Sequence, residues 1–102
     1  MIKIIYPNGK TEYQDVRRLT NNDLFLIFGS WATMRYLYTT RNTAGQQVDF
    51  YAVYEMPKRD NYGYILPEEN KPFNKKVFDD YGINVYGTAI VCKADVLDWE
   101  ED

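Results

Sequence analysis

The chain reads as an α+β domain: a mostly antiparallel sheet of about five strands and two short helices, in the order β-β-α-β-β-α-β. Three observations predict it. Alternating apolar residues flank an Asn8-Gly9 turn near the start. Two short segments carry helix start and stop signals. The other apolar stretches are β-branched and aromatic and are bounded by turn residues.

Ile2, Ile4 and Tyr6 alternate with Lys3 and Ile5, as in a largely buried strand. Pro7-Asn8-Gly9-Lys10 then supplies a tight turn, with Pro at a central position and Asn-Gly for positive φ. Thr11 to Val16 returns as the second strand. Thr20 opens a short helix, because its hydroxyl can accept from the backbone N–H of Asp23 and Asp23 suits the positive end of the helix dipole. Leu24, Phe25, Ile27 and Phe28 form its apolar face, and Gly29 stops it. Eight residues are too few to stand alone, so packing must hold this helix.

Trp31 to Thr40 has strand composition, with Tyr36 and Tyr38 on one face and Arg35 and Leu37 on the other. Residues 41–45 read as a hairpin loop, and Val48 to Met56 returns. Its Val48, Phe50, Ala52, Tyr54, Met56 face is apolar and its Asp49, Tyr51, Val53, Glu55 face is mixed, which predicts one buried and one partly wet side. Residues 57–71 form a long connection of the kind that carries function, anchored by Ile65 and Leu66. Asn70 or Lys71 opens the second helix with Pro72 in its first turn, and Phe73, Val77, Phe78 and Tyr81 share a face. Gly82 ends it, and residues 87–92 supply the last strand. Residues 1–94 thus form one domain, followed by an acidic tail over 95–102.

The 102 residues include seventeen aromatics, one cysteine and no histidine. Without histidine there is no Ser-His-Asp or Cys-His arrangement and no Cys/His zinc pattern, so the chain is read as a non-enzyme with no metal or cofactor. Cys92 has no intrachain partner and sits among apolar neighbours, as a small buried hydrophobe does, so a reducing cytoplasmic setting is expected. No apolar run spans a bilayer, and no signal-peptide cleavage site is seen. The acid pairs Glu68-Glu69 and Asp79-Asp80 are adjacent in sequence, which does not aim them at one point as a general acid/base pair requires.

Two constellations suit binding. Lys58, Arg59, Tyr62 and Tyr64 on the long connection place rings beside cations, which suits a base and a phosphate. The tail mixes acids with apolar residues; Asp98, Trp99, Glu100 and Glu101 form an acidic patch with an aromatic anchor for a basic partner. Val96 and Trp99 fall at helical spacing, suited to docking on the body. The body to residue 94 holds all 12 basic residues and 10 of the 15 acidic ones, a net of +2, while the tail adds −5. A body so weakly basic is no footprint for duplex DNA, and five tail acids alone are too few to mimic it.

The opening strand, the short helix ending Phe28-Gly29, Leu66-Pro67 with Asn70 nearby, and Tyr86-Gly87-Thr88-Ala89-Ile90-Val91 together resemble a family of short uncharacterised domains carried by phages and conjugative elements. The stretch from Arg41 to Tyr64 is longer than in that family. The resemblance implies no catalytic residues, only a setting: an accessory protein of a mobile element that counters host defence. The expected function is therefore a non-enzymatic protein that binds and inhibits a host protein. The alternative is a protein that sequesters a small nucleotide through the 57–71 loop.

Overall fold

Gly9 adopts φ 90°, and the Tyr6 N–H donates to the Lys10 carbonyl at 2.9 Å, closing the Pro7-Asn8-Gly9-Lys10 turn. This joins β1 (Ile2–Ile5) to β2 (Thr11–Gln14), with Lys3 opposite Tyr13. The computed structural model describes residues 1–98; Trp99, Glu100 and Glu101 of the expected tail patch, with Asp102, lie outside the described residues. The chain continues through β3 (Leu19–Thr20), α1 (Asn21–Phe28), β4 (Ala32–Arg41), β5 (Gln47–Glu55), α2 (Lys75–Tyr81), β6 (Ala89–Lys93) and β7 (Leu97–Asp98). Five strands form one antiparallel sheet in the order β2-β1-β6-β5-β4, as the α+β reading expects. The parallel pair β3-β7 is additional; two-residue strands leave no periodicity to read.

Each face of the sheet carries a core cluster, and the front is covered only in part. On the back, Ile2, Val53, Ile90 and Cys92 pack with Leu24 and Phe28 of α1, with Leu19 and with Val96. On the front, Ile5, Ala52, Tyr54, Ala89 and Val91 pack with Val77 of α2, Ile83 and Val85. β5 is next to the edge strand, and its mixed face is partly wet as expected: Asp49 is exposed and Tyr51 and Glu55 are half-buried, while Val53 is buried in the back core. On the apolar face Ala52 and Tyr54 are buried, whereas Met56, past the strand's end, is exposed.

α1 is capped at both ends. Thr20 Oγ1 accepts from the Asp23 N–H at 3.1 Å, and the Asp23 carboxylate accepts from the Thr20 N–H at 3.0 Å. Gly29, at φ 73°, donates to the Phe25 carbonyl at 2.7 Å. α2 begins at Lys75, later than the Asn70–Pro72 start that Pro72 suggests. Phe73 is instead extended and bridges to Tyr86, so the helix waits for Asn74. Asn74 is fully buried; its Oδ1 accepts from the Val77 N–H at 3.1 Å, and its Nδ2 donates to the carbonyls of Ile5 at 3.0 Å and Gly87 at 2.9 Å. Of the four residues assigned to the buried face of this helix, Val77 is buried and Tyr81 packs against the core, whereas Phe73 and Phe78 are exposed. Their rings meet each other at 5.9 Å.

The β4–β5 register shifts between Tyr36 and Tyr38. Tyr36 lies opposite Tyr51 while Tyr38 lies opposite Phe50, so the extra residue Leu37 turns Tyr38 to the other side of the sheet. Tyr36 and Tyr38 therefore do not share a face. Tyr36 faces the back, where its hydroxyl meets Thr39 Oγ1, which donates to Asp49 at 2.6 Å. Tyr38 faces the front and stacks on Phe50 with centroids 4.8 Å apart.

Candidate functional site

The 57–71 connection is a small folded unit. Asn70 Oδ1 accepts from the Lys58 N–H at 2.9 Å, and Asn70 Nδ2 donates to the carbonyls of Lys58 and Leu66. Arg59 bridges to Ile65 in antiparallel fashion, and Asp60 Oδ1 accepts from the backbone N–H groups of Tyr62 and Tyr64. The loop tip is thus set by an Asp side chain standing in for a turn. Lys58, Arg59, Tyr62 and Tyr64 all lie on this unit and are exposed. The Arg59 guanidinium is bound to the Gly63 carbonyl at 2.8 Å. The Tyr62 ring is 87% exposed, and neither Tyr62 nor Tyr64 stacks on another ring among the described residues. Ile65 and Leu66 are half-buried and join neither core cluster.

The described part of the tail lies on the body. Ala94–Val96 makes a short 3-10 turn that drops Val96 into the back core, and β7 then pairs with β3. Asp98 accepts from Arg18 Nε at 2.8 Å, so one acid of the expected patch is engaged within the chain. Asp79 and Asp80 are each paired one helical turn back, with Lys75 at 2.7 Å and Lys76 at 2.9 Å. No cluster of three or more metal-ligating side chains exists among the described residues. Cys92 is buried, and its thiol is pushed up to about 11, first by burial and then by the charge of Asp95. A thiol so held has little thiolate near neutrality.

The surface that sequence reading missed is the outer side of α1. The segment Leu24-Phe25-Leu26-Ile27-Phe28 is apolar without interruption. Leu24 and Phe28 point into the back core; Phe25 and Ile27, expected to join them, are exposed, as is Leu26 at 73%. A helix turns through 3.6 residues, so five consecutive apolar residues cannot all face inward. Trp31, just past the helix, is 72% exposed and meets the Phe25 ring edge-on at 5.3 Å. Between these two rings, with Asn21 and Asn22 at the rim, lies an open cleft of about 280 Å³. The one charged residue of α1, Asp23, is used in the cap. Lys71 fixes the far end of this surface, reaching the Phe28 carbonyl at 3.1 Å and Glu55 at 2.5 Å.

No helix among the described residues is long and apolar enough to cross a membrane. Comparisons with family models, curated proteins and solved structures found no match to this chain.

Proposed function

We propose that this chain is a non-enzymatic binding protein and that its partner is another protein, docked over the outer side of α1 and Trp31. One observation carries the reading: Phe25, Leu26 and Ile27 stand exposed on α1, capped at both ends, and the exposed Trp31 just past it packs on the Phe25 ring. Exposed large apolar residues are ordinary singly, but a contiguous group marks an interaction surface. Trp is also the residue type most enriched at interface hot spots. The Phe25–Trp31 cleft suits one apolar anchor side chain of a partner, and the Asn22 amide at its rim suits a hydrogen bond beside it. The buried, protonated Cys92 and the absence of histidine favour binding over catalysis. The resemblance to mobile-element domains makes a host protein, inhibited by occupation, the first partner class to test.

A photo-crosslinking residue at Leu26, expressed in the native host, is expected to give one discrete adduct heavier than the chain. The same residue at Tyr62 should give none. No adduct from position 26 would contradict the proposal, and an adduct from position 62 instead would move the interface to the 57–71 loop.

A further inference from the structure

The front of the sheet is only half covered. Val77 of α2 packs over the end that holds Ile5, Ala89 and Tyr54. Beyond Tyr81, the last residue of α2, the face is open. The register lays two rows across this open end. One runs Tyr13, Lys3, Val91, Ala52, Arg35, each directly opposite the next on the neighbouring strand, with Val91 and Ala52 buried in the front core and the flanking residues at its margins. The other runs Lys93, Phe50, Tyr38. Tyr13, Tyr38, Phe50 and Tyr81 line a groove of about 350 Å³ with Lys3 and Lys93. Tyr13 is 63% exposed, and the Lys3 ammonium sits 5.9 Å from the Tyr81 ring centre.

The pleat also sorts charge. Lys3, Arg35 and Lys93 lie on the front, and no acidic strand residue shares that side. Glu12, Asp49 and Glu55 all fall on the back, in register with Ile4, Thr39 and Ala32. The nearest helix acid, Asp80, is held by Lys76. An open face with rings at intervals, cations between them and its strand acids turned away, leaving Asp95 beside Lys93 as the neighbouring acid at that end, is complementary to stacked bases on a phosphate backbone. Five strands at their usual spacing make a platform about 19 Å wide. A sheet of that width stacks about two or three bases, more than a mononucleotide offers.

We infer that the front sheet face, through Tyr13, Tyr38 and Phe50 with Lys3, Arg35 and Lys93, is a binding site for single-stranded nucleic acid. It lies on the opposite face of the sheet from α1, so it stands or falls separately from the protein-binding surface.

The test is fluorescence anisotropy of labelled oligo(U) and oligo(dT) of about eight nucleotides. Saturable binding is expected for the wild-type chain at low salt. With three phosphates neutralised, affinity should fall about twentyfold between roughly 50 and 200 mM salt. Tyr38→Ala and Tyr13→Ala should each weaken binding by about tenfold. Tyr38→Leu, which keeps an apolar side chain against Phe50, should lose as much as Tyr38→Ala. Lys93→Gln should make the log–log salt slope shallower by about 0.7. Glu12→Gln, on the back, should change nothing. The inference is overturned if the wild-type chain does not bind either oligonucleotide at low salt, or if the tyrosine variants bind as well as wild type. Uridine monophosphate binding as tightly as the oligomer would overturn it too.

Discussion

Asn74 ties one helix, the sheet and the chain around Gly87 together at one position. Its carboxamide caps α2 and satisfies two buried carbonyls from distant segments, Ile5 and Gly87. Asn74→Ala is expected to destabilise the chain by about 2–4 kcal/mol, the loss of a cap plus buried carbonyls left unpaired. Urea unfolding measures it, and a loss within the surface range of about 0.5 kcal/mol would contradict the role. Cys92 gives a second expectation at this scale. Because burial holds its thiol protonated, reaction with a disulfide reagent at about pH 8 should be far slower in the folded chain than in the urea-unfolded chain, and equal rates would contradict the burial. How much was legible in the sequence differs between these residues. Cys92 sits in an apolar run, so its burial is readable. Asn74 is not, because its partners lie as far as 69 residues away and become neighbours only when β1 and the chain around Gly87 have docked.

Local chemistry decides the ends of α1, and there spacing is enough. Thr20 and Asp23 stand three apart, the separation at which side chain and backbone exchange hydrogen bonds. Thr20→Ala should cost about 1 kcal/mol of stability. Asp23 adds a pH dependence. Its hydrogen bonds from the Thr20 backbone and hydroxyl hold its carboxyl below the usual value. The unfolded chain therefore binds that proton more readily, and the stabilisation, full above the unfolded pKa, is lost as pH falls through the folded one. The urea midpoint should drop below about pH 4, and Asp23→Asn should remove that part of the drop. The other elements were less readable for reasons of register and competition. β4 alternates cleanly on paper, but its pairing with Tyr51 and then Phe50 absorbs Leu37 as an extra residue and turns Tyr38 over. Pro72 is a valid first helical residue, yet the Phe73–Tyr86 bridge claims that stretch for extended backbone. Both outcomes depend on pairing with a partner segment across an intervening turn or helix, which the pattern of one segment alone does not contain.

At the scale of the whole molecule, the seventeen aromatics divide unevenly. Aliphatic residues do most of the filling in both cores, with Phe28 and Tyr54 the only rings among their buried members within the described residues. Many of the other rings reach the surface, on the outer side of α1, on the open front of the sheet and on the 57–71 turn. The sequence pattern indicates how many elements there are and in what order, but not which sides of them another layer covers. α1 is the clearest case, since five apolar residues in a row show no period that separates inside from outside. If its outer residues serve binding and not the fold, Leu26→Ser with Trp31→Ser should shift unfolding free energy by no more than about 1 kcal/mol, as exposed positions do. A loss of about 3 kcal/mol or more would mean that they are part of the core. The most direct test of the central claim is the crosslinking yield from position 26 in chains with and without Trp31. The account predicts a discrete partner adduct that is lost when Trp31→Ser empties one wall of the cleft. An adduct formed in equal yield without Trp31 would contradict it.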